Sequence, residues 1–156
     1  MNASGTGTGT VSPRRLFRVL ATAEAITWAL LLAGMFLKYV TETTELGVSV
    51  FGMVHGVVFI AYGLATLVVA VDQRWSLGRL VLGLAAAVPP FATLPFERYA
   101  ERRGLLGESW LSRADSPTAA QRLVWWLLEH QRRAVGIGVV AVLALTGLAL
   151  LVGPPA

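Results

Sequence analysis

The amino-acid sequence predicts an all-α, polytopic membrane helical bundle with three core transmembrane helices, an interfacial helix and a fourth transmembrane helix. Of its 156 residues, 55% are hydrophobic and only 14% are charged, and the mean hydropathy is +0.64. A soluble domain usually has about 25% charged residues. The apolar residues also fall in long runs, which a lipid environment explains better than a soluble core does.

The composition excludes several classes of protein. There is no cysteine, so disulfides and thiolate metal sites are absent. In a membrane protein the net charge of +4 concerns orientation and anionic lipid, and no aromatic-rich basic pattern indicates nucleic-acid binding. We therefore expect the lipid bilayer as a partner and no nucleic acid. Phosphate-binding loops, zinc-protease motifs and nucleophile elbows are absent too, so we expect no enzyme and no metal.

The composition divides the chain into four regions. Gly, Thr and Ser dominate residues 1–13, which are predicted to form a disordered tail. Residues 14–103 form the predicted three-helix membrane core. Residues 104–133 combine a polar connection with an interfacial amphipathic helix. Residues 134–156 form the predicted fourth transmembrane helix and a short tail.

Three apolar runs make up the predicted core, over residues 16–37, 48–71 and 77–96. Each is about long enough to cross a hydrocarbon layer of ~30 Å at ~1.5 Å per residue. The third run contains Pro89 and Pro90. Because proline has no amide hydrogen to donate, we expect a kink or a break at this point.

The basic residues give conflicting indications of orientation. Arg14, Arg15 and Arg18 precede the first span and Lys38 follows it, which predicts a cytoplasmic N-terminus. With four full spans, however, the seven arginines between spans three and four lie outside. Three resolutions compete: dominance of the first helix, inversion of the whole protein, and a re-entrant third segment, the last of which leaves twelve basic residues inside and one outside. We expect four spans with the N-terminus inside.

Glu24 lies about two turns inside the first span, where an ionisable side chain is costly and is by default functional. Tyr62 lies at a similar depth in the second span, and Arg79 of the third span can reach inward on its long stem. We therefore expect Glu24, Tyr62 and Arg79 to form a buried polar cluster. In the alternatives, Glu24 is a neutral group that fixes helix packing and Arg79 extends to the lipid headgroups.

His55 shares one face of the second span with Phe59 and Tyr62, at positions i, i+4 and i+7. Three roles compete: a proton relay with Glu24 through Tyr62, an axial haem ligand, and a neutral histidine bonded to a backbone carbonyl or to Thr27. Haem usually has a second strong ligand at a matching depth, and no other span contains a histidine. We expect the neutral histidine and no cofactor, with the relay second and haem third.

The second span also contains a G-x-x-x-G pattern, formed by Gly52 and Gly56. Small residues at this spacing let helix backbones approach closely in lipid. We expect this face to contact another helix, and Gly83 and Ala87 offer a matching face on the third span.

Four motifs occur along the core in a fixed order. They are a glutamate in the first span, L-K-Y at its exit, H-G-x-x-F-x-x-Y in the second span and P-F-x-T at the close of the third. Together they resemble a family of small bacterial integral membrane proteins known only as a domain of unknown function. The resemblance covers about residues 14–103 and implies a three-helix core in the bacterial plasma membrane, but it does not indicate an activity. Its characteristic positions are Glu24, Lys38, Tyr39, Gly52, His55, Gly56, Phe59, Tyr62, Trp75, Pro90 and Phe91.

Two main hypotheses of function follow. The first is a non-enzymatic accessory or assembly component that packs with itself or with another membrane protein, which the small-residue face and the lack of catalytic motifs favour. The second is a small oligomeric transporter or proton-coupled permease element that uses Glu24 and His55. A haem or quinone redox subunit is the third. The expected partner is a second copy of the chain or another membrane protein.

Overall fold

The computed structural model describes residues 11–110 and 118–152, and its regular elements in these ranges are all α-helices. The predicted all-α class is therefore confirmed. The helices are α1 (Pro13–Tyr39), α2 (Leu46–Asp72), α3 (Leu77–Ala85), α4 (Thr93–Arg102), α5 (Ala119–Glu129) and α6 (Gln131–Val152). Residues 1–10 of the predicted tail lie outside the described ranges, whereas Pro13 already belongs to α1.

Helices α1 and α2 have 27 residues each, and among the described residues they are the two helices long and apolar enough to cross a membrane. They contain the first two predicted spans. Helix α1 begins at a proline, which has no amide to leave unpaired in the first turn, and Ser12 Oγ accepts a hydrogen bond from the Arg15 amide. Helix α6 has 22 residues with an apolar stretch over 136–145, and its membrane crossing stays a prediction.

The backbones of α1 and α2 are closest where Gly34 faces Gly47. A Cβ added to Gly34 would lie only 2.7 Å from the backbone carbon of Gly47. By contrast, no neighbouring atom of the described residues lies within 4 Å of a Cβ added to Gly56, and Gly52 meets only one leucine side chain at 3.7 Å. Among the described residues the α2 backbone is therefore not tightly packed at the G-x-x-x-G pattern, and its contact with another helix stays a prediction. The short connection between α1 and α2 instead brings together the two glycines nearest to it.

The third predicted span is not one continuous helix. Helices α3 and α4 are separated by a turn over residues 86–92 and form a helical hairpin. Both ends of this hairpin lie at the end of the molecule where α1 begins. Trp75 Nε1 donates to the Leu105 carbonyl at 2.8 Å, and the Arg14 amide donates to the Gly107 carbonyl at 3.2 Å. The single third span is therefore corrected to a hairpin that returns to its starting end, which is the geometry of the re-entrant alternative.

The two prolines cause this reversal, as expected, because neither has an amide hydrogen to continue the helix. The turn supplies its own partners for freed carbonyls. The Val88 amide donates to the Ala85 carbonyl at 3.1 Å, and the Ala92 amide donates to the Pro89 carbonyl at 3.2 Å. Phe91 has a φ of 64°, in the left-handed region that residues other than glycine seldom adopt. The chain thus turns back within a few residues.

Helix α5 occupies the region predicted to be interfacial. Thr118 is its N-cap, and the Thr118 and Gln121 side chains form a capping box. Val124 and Trp125 are buried, whereas Trp126 is exposed. The helix therefore has one packed face and one open face, and its position at the membrane surface stays a prediction.

We predict that positions 76 and 109 face the same side of the membrane and that position 43 faces the other side. Because the chain has no cysteine, Ser76→Cys, Ser109→Cys and Thr43→Cys variants can each be labelled with a membrane-impermeant maleimide in intact cells and in inverted vesicles. Labelling of positions 76 and 109 from opposite sides would mean that the third segment crosses the membrane.

A second prediction concerns the closest approach of α1 and α2. Gly34→Ala is expected to destabilise the protein by about 1–3 kcal/mol, the usual cost of overpacking, because its Cβ would overlap the Gly47 backbone. Gly56→Ala is the matched control, since space is open around it, and no destabilisation is expected. Unfolding in mild detergent measures both. An equal loss in the two variants would contradict the assigned crossing point.

Candidate functional site

Glu24 is fully buried in α1 and is bonded to the first residue of α4. Thr93 Oγ1 lies 3.0 Å from Glu24 Oε2 and 3.1 Å from the carbonyl oxygen of Ala21. Thr93 is also fully buried. The second carboxyl oxygen, Glu24 Oε1, is buried without a hydrogen-bond partner among the described residues. Glu24 therefore connects α1 to the tip of the hairpin.

Tyr62 connects α2 to the other arm of the hairpin. Its fully buried hydroxyl donates to the Gly83 carbonyl at 3.1 Å. This carbonyl is available because the Ala87 amide, four residues later, bonds to the Leu84 carbonyl instead. The helices are close here, since a Cβ added to Gly83 would lie 3.1 Å from Thr66 Cγ2. Tyr62 thus holds α3 against α2.

The predicted cluster of Glu24, Tyr62 and Arg79 is not connected by hydrogen bonds in the described part of the chain. Glu24 and Tyr62 bond to different arms of the hairpin. Arg79 is exposed near the start of α3, in agreement with the alternative that it extends away from the bundle. Sequence reasoning missed Thr93, although this residue is the last position of the P-F-x-T motif.

His55 is bonded to Thr27, the side chain named in one of its predicted alternatives. Its Nδ1 lies 3.0 Å from Thr27 Oγ1, which also lies 2.9 Å from the Glu24 carbonyl oxygen. A hydroxyl has one hydrogen, so when Thr27 donates to the carbonyl, Nδ1 must donate to Thr27. The ring also packs against Trp28, with centroids 4.6 Å apart, and lies 6.2 Å from Phe59. His55 therefore joins α2 to α1.

The second histidine, His130, lies on a different element. It follows the last residue of α5, where its ring stacks on Trp126 with centroids 5.1 Å apart. Among the described residues there is no group of three or more His, Asp or Glu side chains that could hold a metal ion. Nothing here tests haem ligation by His55, the third of the alternative roles, or the expectation of no cofactor.

An Arg–Glu cluster connects the start of α1 to the end of α4 and the segment after it. Its members are Arg14, Arg18, Glu97, Glu101 and Glu108. Arg14 Nε lies 2.7 Å from Glu101 Oε1, and Arg18 Nε lies 3.1 Å from Glu97 Oε1. Arg14 also pairs with Glu108, and Arg18 with Glu101. The hydrogen bond from Arg14, together with both positive charges, holds the pKa of Glu101 below its ordinary value.

An aromatic core fills the space between these polar contacts. The Phe17 ring lies 5.4 Å from that of Tyr62 and 5.9 Å from those of Trp75 and Phe96. Such separations are typical of aromatic pairs in protein interiors. Trp75, which also donates to a backbone carbonyl after α4, therefore packs on the core rather than only at the membrane interface.

The L-K-Y motif lies at the opposite end of the bundle. Lys38 Nζ is 3.5 Å from Glu45 Oε1 and 5.3 Å from the Tyr39 ring centroid. These contacts cross the connection between α1 and α2. Four of the motif positions thus lie at the two turns: Lys38 and Tyr39 are next to this connection, and Pro90 and Phe91 are in the hairpin turn.

A model of the domain of unknown function DUF3817 matches residues 14–102 of the chain. The chain belongs to the DUF3817 family. The matched region includes both turns and the contacts of Glu24, His55 and Tyr62, whereas α5 and α6 lie outside it. The family resemblance predicted from the motifs is confirmed.

A relative supports the membrane assignment of this DUF3817 protein. The chain is 50% identical over 111 residues to "Putative membrane protein SCO5905" of Streptomyces coelicolor. The alignment covers 70% of this chain and 13% of that protein. No solved structure matches the chain. With its two long apolar helices, the chain is a helical membrane protein of the DUF3817 family.

We predict that Thr93→Val lowers the free energy of unfolding by about 1 kcal/mol, because the buried Glu24 and Ala21 oxygens lose their hydroxyl partner. Thr22→Val is the matched control, since Thr22 is exposed on α1 and should tolerate the change. Unfolding of both variants in mild detergent tests this. Equal stability of the Thr93 variant and the wild type would rule out a structural role for the contact.

A further prediction concerns acid. Because the pKa of Glu101 is lowered in the fold, its ion pairs stabilise the protein above the ordinary carboxyl pKa, and this contribution is lost as the pH falls through the lowered value. Glu101→Gln is expected to reduce stability at about pH 7 and to weaken the acid dependence down to about pH 3. Glu42→Gln, an exposed change at the other end, is the control. Thermal unfolding across this range should separate them, and identical acid profiles would contradict the prediction.

Proposed function

We propose that this chain is a non-enzymatic accessory or assembly component that packs against a larger integral membrane protein of the bacterial plasma membrane. The observation that carries the proposal is the length of the Streptomyces coelicolor relative, of which the 111 aligned residues are only 13%. In that protein a region half identical to this chain is part of a much longer polypeptide. The relative thus contains this region together with a large amount of further polypeptide, which supports packing of the region against other membrane protein.

The buried polar side chains support a structural role. Those of Glu24, His55 and Tyr62 each bond to a neighbouring helix and so connect α1, α2 and the hairpin. The open grooves found along α3 and α4 and beside α6 are lined by other residues. Within the described ranges, these three side chains contact neighbouring helices and do not line the open grooves, which supports a role in helix packing.

Helix α2 offers a face on which a partner helix could pack. Gly56 and Gly63 lie two turns apart, and space is open around both. Met53 and Val54 are exposed nearby. Since small residues allow close backbone approach in lipid, this face suits a transmembrane helix of another protein.

Purification in mild detergent tests the proposal. The wild-type chain is expected to elute as a complex with a larger membrane protein, and Gly56→Trp should release the partner because it fills the open α2 face. Gly78→Trp is the control, since space is also open there but on α3. A complex that contains only this chain would replace the larger partner with a homo-oligomer, and a monomer alone would contradict the proposal.

The N-terminus is proposed to be cytoplasmic. Because the hairpin returns to its starting end, the eight arginines from Arg14 to Arg103 belong to one end of the bundle, whereas Lys38 belongs to the other. A full third span would place the arginines after it on the outer side of the membrane, and the hairpin removes this conflict with the positive-inside rule for the residues up to Arg103. In the maleimide experiment, positions 76 and 109 should react in inverted vesicles and not in intact cells, and the reverse pattern would invert the protein.

A proton-coupled element is the second candidate, favoured by one observation. The carboxyl oxygen Oε1 of Glu24 is buried without a hydrogen-bond partner among the described residues. The backbone carbonyl of Glu24 is hydrogen-bonded to the Thr27 hydroxyl, which is in turn hydrogen-bonded to His55. If this group carries protons, the purified protein in liposomes should conduct them, and Glu24→Gln and His55→Phe should each abolish the flux. Flux that survives both changes would remove this candidate.

A further inference from the structure

An open apolar groove runs along the hairpin on the side away from the Arg–Glu cluster. It has a volume of about 420 Å³. Its walls include Leu82, Ala85 and Ala86 of α3, together with Ala92, Phe96 and Tyr99 from the turn and α4. The groove is separate from the α2 face on which the proposed partner packs.

Two exposed arginines stand at the basic end of the groove. Arg79 precedes Leu82 and Ala86 by three and seven residues, so it lies on the groove face of α3. Arg103 follows Tyr99 by four residues, and its guanidinium carbon is 5.6 Å from the Tyr99 ring centroid. In the described part of the chain neither arginine forms a salt bridge. The groove therefore ends in unneutralised positive charge.

The acidic residues of α4 do not cancel this charge. Glu97 and Glu101 lie one turn apart on another face of the helix, where Arg18 and Arg14 bind them. The two sets of arginines thus have different roles: one set pairs with carboxylates, and the other is left for an external anion.

The length of the groove fits one leaflet of a bilayer. Helix α4 has 10 residues and is therefore about 15 Å long, close to half of a ~30 Å hydrocarbon layer. The wall residues on this side run from Ala92 to Tyr99, and the charged mouth lies beyond them, where headgroups would be. Arginine is well suited to phosphate because its planar guanidinium donates two parallel hydrogen bonds.

We propose that the hairpin groove binds one anionic phospholipid, with an acyl chain along α3 and α4 and the headgroup phosphate between Arg79 and Arg103. The lipid would cover the apolar walls and neutralise the two arginines at once. This site is separate from the α2 face of the proposed function, so either can hold without the other.

Electron paramagnetic resonance of spin-labelled lipids tests the site with the full chain in bilayers. Spin-labelled phosphatidylglycerol is expected to be immobilised by the protein in preference to spin-labelled phosphatidylcholine. Arg79→Gln with Arg103→Gln should reduce this preference by about fivefold for each arginine removed. Ala85→Trp should reduce the immobilised fraction of both lipids. Ala85 is an exposed residue of the groove wall, so a tryptophan at this position would fill the groove.

The matched control removes the same charge from the same end. Arg15→Gln with Arg98→Gln changes two exposed arginines, one on α1 and one on another face of α4, and the preference should remain. An equal loss in this control would mean a diffuse surface effect and would overturn the site, as would equal immobilisation of the two lipids by the wild type. Inorganic phosphate in excess should not displace the lipid, and displacement would assign the site to free phosphate instead.

Discussion

The backbone of the hairpin must find its hydrogen-bond partners inside the protein, because lipid offers none. The proline break frees the carbonyls of Gly83 and Ala87 from the regular helical pattern. Tyr62 of α2 donates to the first at 3.1 Å, and Trp28 of α1 donates to the second at 3.3 Å. An irregular segment is therefore tolerated at this depth because two long helices carry donors at its level.

The hairpin is fixed at its tip and at its base by interactions of different strength. At the tip, the Glu24–Thr93 contact is fully buried, so loss of either partner leaves an unpaired polar group in an apolar environment. At the base, Arg14 and Arg18 are partly exposed, where individual ion pairs contribute little and a shared Glu101 makes them act as a network. Aromatic packing between these two points excludes lipid from the interior. The tip thus determines whether the hairpin forms, and the base determines where its ends lie.

The sequence predicted the parts of this arrangement that depend on local pattern. Runs of apolar residues predicted α1 and α2, and adjacent prolines predicted a break in the third segment. Whether the chain then crosses or returns depends on contacts between residues 69 to 87 positions apart, such as Thr93 with Glu24 and Arg14 with Glu101. The hydropathy of the third segment is the same whether it crosses the membrane or returns, so hydropathy cannot distinguish the two. For a similar reason the G-x-x-x-G spacing indicated a small face on α2, but it did not indicate that the closest approach to α1 lies at Gly34 and Gly47, which the short connection between the helices determines.

The hairpin also makes the two halves of the bundle unlike each other. On the basic side, the Phe17 ring of α1 packs against Tyr62 of α2 and Phe96 of α4, so side chains from three helices fill the interior. At the other end the two long helices meet directly, since a Cβ added to Gly34 would overlap the Gly47 backbone. The absence of a side chain on both glycines is what allows this approach. A protein that packs on the open α2 face would contact α2 where the described residues leave space around Gly56 and Gly63.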